Sequence, residues 1–350
     1  MSPESIFSTS DIEQMRQLGI QREQAIAQLE RFKTGFPPLR LAAPVMPGDG
    51  IFRLAEHERY VRLFDQKTPG LSVCKFVPAS GAASRMFRRL FAYVQAPDSL
   101  PEREKELLHI FCQKLPESAL FFSLKEKSKE AEKLLSEEQY KTVFEMILSG
   151  YGSLPKALIP FHCYEGFSRT ALEEHLTEAA HYCRDANDIV RLHLTVSPEH
   201  KARFKQTIQG LQVQYDASYQ CRFDVTISTQ NPATNTLAVD MENKPFRIQN
   251  GELLFRPGGH GALLENLNNI DADIVFIKNV DNVLPEHRQA ETWYWKKLLG
   301  GILLDTQQGL FEWQHYLDNH DQVPEALFDF VTQKMGIRIP KAVFEGESYL

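Results

Sequence analysis

Four short apolar runs, at residues 73–77, 189–196, 223–227 and 274–280, alternate with stretches patterned as helices, and that alternation restricts the fold more than any other feature of this chain. It predicts parallel strands joined by crossover helices, hence an α/β protein with an open, doubly wound, mostly parallel sheet. The run Ile274-Val-Phe-Ile-Lys-Asn-Val280 is apolar without alternation, as in a strand covered on both faces. With 350 residues and a hydrophobic fraction of 43%, the chain has ample material for such a core.

Around this α/β region the sequence adds helices. Residues 1–70 read as a helical leader. Within it, 10–33 carry Ile12, Met15 and Leu18, then Ile26, Leu29 and Phe32, at helical spacing, Ser10 with Glu13 forms a capping box, and Gly19 divides the stretch in two. Pro37-Pro38 ends it, and a Pro/Gly-rich link leads to another helix over 54–64. The main domain is expected to span 71–350, with a charged helical insert at 98–150 and a C-terminal helical segment at 286–336. Residues 125–138 mix both charge signs, the mark of a solvated helix face to which no chemistry is assigned. Residues 236–256 read as a β-hairpin excursion with a turn near Asn250-Gly251.

Charge and cysteine usage exclude several function classes. Lys and Arg number 39 against 46 Asp and Glu, a net charge of −7, so no global basic field recruits nucleic acid or an anionic membrane. Phosphate must be met by a local cationic pocket. The five cysteines are odd in number and widely spaced without a Cys-x-x-Cys pair, which fits a reducing cytoplasm. The N-terminus has acidic and polar residues where a secretory signal needs a basic start, and no run approaches the ~20 apolar residues of a membrane span. A cytoplasmic protein with no nucleic-acid or membrane partner is the expectation.

Several loops are chemically suggestive. After the first apolar run, Ala79, Ser80, Gly81, Ala82 and Ala83 let a backbone approach a ligand closely, and Arg85 adds positive charge at the start of a helix, the arrangement of a phosphate site. A small-residue turn of this kind is equally a plain tight connection. Lys156, between turn signals and a short apolar strand that a helix from about Ser168 to Tyr182 is expected to follow, is either a surface lysine or a group pointing into a ligand site. Pro257-Gly-Gly-His-Gly261 is a second small-residue turn, with His260 placed to reach a phosphate or merely a carbonyl. Gln230, just past a strand end, has the donor and acceptor needed to read a base edge. Asp281, in Asn279-Val-Asp-Asn282, follows the last strand, where ligands of open α/β sheets bind and where a hard cation can bridge carboxylate and phosphate. A competing pair, Asp271-Ala-Asp273, spells the Asp-x-Asp of metal-dependent glycosyltransferases, but it precedes its strand and belongs at the opposite sheet edge.

In that order, Ser80-Gly81 with Arg85, Pro155-Lys156, Gln230-Asn-Pro232, Pro257-Gly-Gly-His-Gly261 and Val280-Asp-Asn282 resemble the nucleotide-diphospho-sugar transferase superfamily, in particular its sugar-nucleotide pyrophosphorylases. The last three motifs look most like UDP-N-acetylhexosamine pyrophosphorylases, and the whole chain is similar to a bacterial family catalogued only as a domain of unknown function within that superfamily. The resemblance covers about 71–284 apart from the insert. The first loop has less glycine than those enzymes. A further glycine-rich sugar-pocket segment and a second metal-binding carboxylate, expected beyond the C-terminal helices, are not found, which implies a truncation relative to that family or a site completed differently.

The resemblance implies a magnesium-dependent transfer of a nucleotidyl group from a nucleoside triphosphate to a sugar 1-phosphate. Arg85 and Lys156 would be catalytic and Asp281 would hold the metal. Ala79, Ser80, Gly81, Ala82, Gln230, Gly259, His260 and Asn282 would bind nucleotide and sugar. The alternative is a catalytically inactive nucleotide-sugar-binding or regulatory protein.

Overall fold

Four strands lie parallel in one sheet in a computed structural model that describes residues 6–41, 43–81, 83 and 86–337. They are β1 (Val73–Pro78), β2 (Ile189–Val196), β3 (Arg222–Thr229) and β4 (Ile274–Ile277), in the order β4-β1-β2-β3. Ile274 stands opposite Val73, Cys74 opposite Arg191, and Ile189 opposite Arg222. Every predicted apolar run is thus a strand, and the mixed α/β class follows. Parallel strands cannot be joined by tight turns, so each carboxyl end returns through helices. The chain steps outward from β1 to β2 to β3 and then crosses to the other side of β1 for β4, so the strand order reverses between β1 and β4.

The chain divides into two compact units, one of residues 1–38 with 72–289 and the other of 39–71 with 290–350. In the second, His57–Lys67 packs along the 30-residue helix Ala290–Asn319, with Arg59 and Asp65 paired to Asp305 (3.2 Å) and Lys297 (2.9 Å). A Cβ on Gly301 would fall 2.0 Å from the Tyr60 carbonyl oxygen, so the helices approach backbone to backbone. No helix among the described residues is long and apolar enough to cross a membrane.

In the first unit, helices Thr9–Leu18 and Arg22–Thr34 share a core with the 236–256 excursion, built from Met15, Ile20, Ala25, Leu29, Leu237 and Leu253. The Gln14 amide brackets Leu253, donating to its carbonyl at 2.9 Å and accepting from its N–H at 3.0 Å. Gly19 ends the first helix at φ 75° as expected. The capping box lies two residues earlier than predicted. Ser8 caps the helix and Asp11 returns the bond, because Asp11 is buried and clamped by Arg247, whereas Glu13 is spent on a surface pair with Arg16. The excursion pairs Thr236–Leu237 with Phe255–Arg256 and closes through the Val239–Pro245 and Arg247–Leu253 bridges. The charged run at 125–138 is split between Ala119–Lys127 and Ala131–Ser136.

The apolar run after Lys156 does not join the sheet. Pro160–Tyr164 pairs antiparallel with Phe167–Thr170 around Gly166 at φ 81°, so the following helix starts at Ala171, capped by Thr170 and Glu173, and not at Ser168. That helix, Ala171–Ala180, is unusual in burying Glu174, His175, Thr177 and Glu178 completely. Its Glu178 pairs with Lys75 of β1 at 3.1 Å and with Lys278 just past β4, and accepts from the Tyr182 hydroxyl at 2.7 Å. Burial opposes ionisation of Glu178, but the two ammonium groups outweigh it and hold the carboxyl at about 2.

Two outcomes follow from this cluster. Glu178→Ala leaves two ammonium groups without their anion and should lower unfolding stability by about 3–5 kcal/mol in urea titration. Because the folded-state value lies below the ordinary 4.5, the contribution of Glu178 is complete above that pH and is lost as pH falls toward about 2. The acid-unfolding profile of Glu178→Gln should therefore be flatter than that of the parent across this window.

Candidate functional site

The carboxyl ends of all four strands open into one cleft of about 820 Å³, within the range of small-molecule sites. Pro78, Ser80 and Gly81 enter from β1, Val196 to Glu199 from β2, Gln230, Pro232 and Asn235 from beyond β3, and Asn279 to Asp281 from beyond β4. Pro257 to His260 close one side and Lys156 enters from the turn before the hairpin. In open α/β sheets this edge, at the point where the strand order reverses, is where ligands bind.

Of the residues singled out in the sequence, Ser80, Gly81, Lys156, Gln230, Gly259, His260 and Asp281 meet at this cleft. Ala79 lies beneath it, fully buried, with its N–H donating to the Thr195 carbonyl at 2.8 Å. Asn279 lines the wall where Asn282 was expected; the Asn282 N–H donates back to the Asn279 carbonyl at 3.1 Å, forming the turn that presents Asp281. Ala82 and Arg85 fall outside the described residues. The competing pair is elsewhere: Asp273 accepts from the Ser72 N–H at 2.7 Å, at the amino edge of the sheet.

Lys156 and Asp281 form an ion pair in the cleft wall. The Lys156 hydrogen bond is the chief reason that the Asp281 carboxyl sits below its ordinary range, against the opposing effect of burial. Both partners are held through their backbones. The Lys156 N–H donates to the Gly81 carbonyl at 3.2 Å, joining it to the loop after β1, and the Ala171 N–H donates to Ile159 at 3.3 Å, joining the same turn to the buried polar helix. From that helix, His175 Nε2 lies 3.0 Å from the Val280 carbonyl oxygen. A carbonyl only accepts, so this nitrogen carries the proton. Burial, reinforced by nearby Lys75, pushes the His175 value well below the usual histidine range and keeps the ring neutral. One short helix therefore fixes the backbone beside each half of the pair.

The second small-residue turn divides its work. A Cβ on Gly258 would meet Ala262 Cβ at 2.9 Å and the Thr234 carbonyl oxygen at 3.0 Å, whereas one on Gly259 would meet nothing within 4 Å. Gly258 permits the turn to pack against 232–235, and Gly259 faces open space in the cleft. Behind them, buried Asn266 ties helix Leu264–Asn268 to β3, donating to Ser228 Oγ (2.8 Å) and the Thr229 carbonyl (2.9 Å). Gln230 donates to Thr234 Oγ1 at 2.9 Å, leaving its side-chain carbonyl without a partner among the described residues.

Ser197, Glu199 and Asn279 are lining residues that the sequence reading missed. The end of the apolar run at Val196 marked where Ser197 and Glu199 would emerge, so the signal was positional. Glu199 matters electrostatically, since it gives the described lining two carboxylates against one lysine. Among the described residues no three His, Cys, Asp or Glu side chains cluster as a metal cage. Mg²⁺ commonly uses one or two carboxylates together with substrate phosphates and waters, so this donor set suits a cation shared with a phosphate ligand.

The chain belongs to the family described as Domain of unknown function (DUF4301), whose model matches residues 8–348. Neither a curated protein nor a solved structure matches it.

Gly258→Ala should lower the melting temperature through a clash worth about 1–3 kcal/mol, while Gly259→Ala should leave it unchanged in the same thermal scan.

Proposed function

We propose that this family member is a magnesium-dependent nucleotidyltransferase built on a doubly wound sheet of the nucleotide-diphospho-sugar transferase type, acting on a nucleoside triphosphate and a sugar 1-phosphate in the cytoplasm. The observation that carries the reading is the meeting of Lys156 and Asp281 at the reversal of the sheet, beside the Ser80-Gly81 loop. A sugar 1-phosphate oxygen would attack the α-phosphorus and pyrophosphate would leave in line, chemistry that asks for positioning and charge neutralisation more than for a nucleophilic side chain. In this reading Ser80 and Gly81 hold phosphate through backbone N–H groups, with Ala79 and Ala82 beside them and Arg85 on the pyrophosphate portion. Lys156 faces the charge that develops on the α-phosphate, and Asp281 holds the metal. Magnesium, when bound, neutralises phosphate charge. The Gln230 carbonyl faces the base, and Gly259, His260 and Asn279 serve the nucleotide and sugar side, with Asn282 closing the turn behind Asp281.

The lining supports the need for a cation: with Asp281 and Glu199 opposing Lys156, a polyphosphate entering alone meets net negative charge among the described side chains. A second reading, a nucleotide-sugar-binding protein without turnover, uses the same cleft and rests on the low glycine content of the loop at 79–83.

A thermal-shift screen of nucleoside triphosphates and nucleotide-sugars, with and without magnesium, separates them. The transferase reading expects a magnesium-dependent rise with a triphosphate that disappears in Asp281→Ala; a magnesium-independent rise supports the binder, and no rise with any nucleotide removes both. In a turnover assay with the triphosphate so identified, Lys156→Ala should reduce kcat by about 10²-fold or more with a much smaller effect on nucleotide affinity. Unchanged turnover would refute the role given to Lys156.

A further inference from the structure

Among the described residues, Lys156 and Asp281 are each other's only side-chain ion-pair partner in the cleft, and each is the group a different ligand would use. An anion reaching the Lys156 ammonium must displace the Asp281 carboxylate. A cation reaching that carboxylate must displace the ammonium. The side chains are 29% and 45% exposed, so solvent and ligands reach both without unfolding the cleft. The backbones on either side are pinned, at Lys156 by the Gly81 carbonyl and at Val280 by His175, so the pair opens by side-chain rotation while the loops stay in place.

We infer that the Lys156–Asp281 pair is an exchange latch, through which a phosphate-bearing anion and a divalent cation bind with positive coupling because each releases the partner the other needs. This rests on the phosphate-and-cation part of the proposed function and not on its nucleotide, sugar or turnover. Either ligand entering alone breaks the pair and leaves one charge without its partner. When both enter, the pair is replaced by two new ones, ammonium with phosphate and carboxylate with cation. Glu199 in the same wall sharpens the bias against a lone anion. Coupling of this kind is reciprocal by thermodynamic necessity.

The latch has a consequence opposite to that of an ordinary ligand residue, since deleting one member strengthens binding of the ligand that belongs to the other. The full chain is titrated calorimetrically with inorganic pyrophosphate in the presence of chelator, and separately with Mn²⁺ without phosphate, following the Mn²⁺ by electron paramagnetic resonance. Asp281→Asn should bind metal-free pyrophosphate about two- to five-fold more tightly than the parent, and Lys156→Met should bind Mn²⁺ more tightly by a similar factor, the range expected for a partly exposed ion pair. Equal or weaker binding in either variant, or no binding of either probe to any of the three proteins at millimolar concentration, overturns the latch. Matching melting temperatures confirm that the variants are folded, and Asp281→Ser replaces Asp281→Asn should the latter fail to fold. Because neither probe contains a nucleoside or a sugar, a gain of affinity without any nucleotide-induced thermal shift upholds the latch and refutes the nucleotidyltransferase reading. A magnesium-dependent nucleotide shift without the gains does the reverse.

Discussion

One carboxylate, that of Glu178, receives two ammonium groups in a fully buried setting, and through them a helix is tied to two neighbouring strands of the sheet. Lys75 comes from the middle of β1 and Lys278 from the residue after β4, so the cluster spans the place where the strand order reverses. Ions of this kind are expensive to desolvate, and an apolar replacement of similar shape often stabilises a fold as well or better. What apolar packing lacks is direction. The Lys75 ammonium also donates to the His175 carbonyl at 3.1 Å, and the His175 ring donates on to Val280, so the helix is fixed in rotation and height relative to the loop that bears Asp281.

The other side of the same helix serves the hairpin that follows Lys156. Buried Glu174 accepts from the Tyr164 hydroxyl at 2.6 Å and lies 3.0 Å from His162 Nδ1, both on Pro160–Tyr164. Arg169, on the second strand, pairs with Glu286 at 2.7 Å, and Thr177 accepts from the Tyr219 hydroxyl at 3.0 Å. Helix Ala171–Ala180 therefore buries polar side chains on more than one face, and these reach β1, the loop at Val280 and the hairpin that follows Lys156. An apolar helix in its place would pack but would leave Pro160–Tyr164 and the Val280 carbonyl without these side-chain partners.

This explains which parts of the molecule the sequence discloses. Strand β1 was legible because a strand covered on both faces must be apolar throughout, β2 and β3 because apolar residues recur at every second position, as in Val190, Leu192 and Leu194 and in Phe223, Val225 and Ile227, and β4 as a short apolar run; the residues just past each strand end could be assigned to the cleft from position alone. Helix Ala171–Ala180 was legible as a helix but not as a buried one. Glu174, His175 and Glu178 have the composition of a solvated face, and the partners of His175 and Glu178, namely Lys75, Lys278 and Val280, stand about a hundred residues away in the chain. The hairpin ahead of it was misread for a local reason, since the turn at Gly166 interrupts a stretch whose residue types permit either strand or helix. Gly258 and Gly259 are identical letters with opposite duties, and only the position of the Thr234 carbonyl tells them apart.

The cleft itself carries a tension that helps to define its ligand. A site meant for a neutral metabolite has little use for a lysine held against an aspartate, and a site meant for a bare anion would not set Glu199 and Asp281 in its wall. In the function we propose, opposite charges placed side by side at the end of a sheet, in contact with glycine-bearing loops, receive a ligand that itself brings both signs: polyphosphate oxygen and the cation it travels with. Such a ligand can satisfy Lys156 and Asp281 together, whereas either charge alone satisfies one and strands the other. The hydrogen bonds at Gly81, Ile159 and Val280 oppose a shift of these loops toward the unmatched partner.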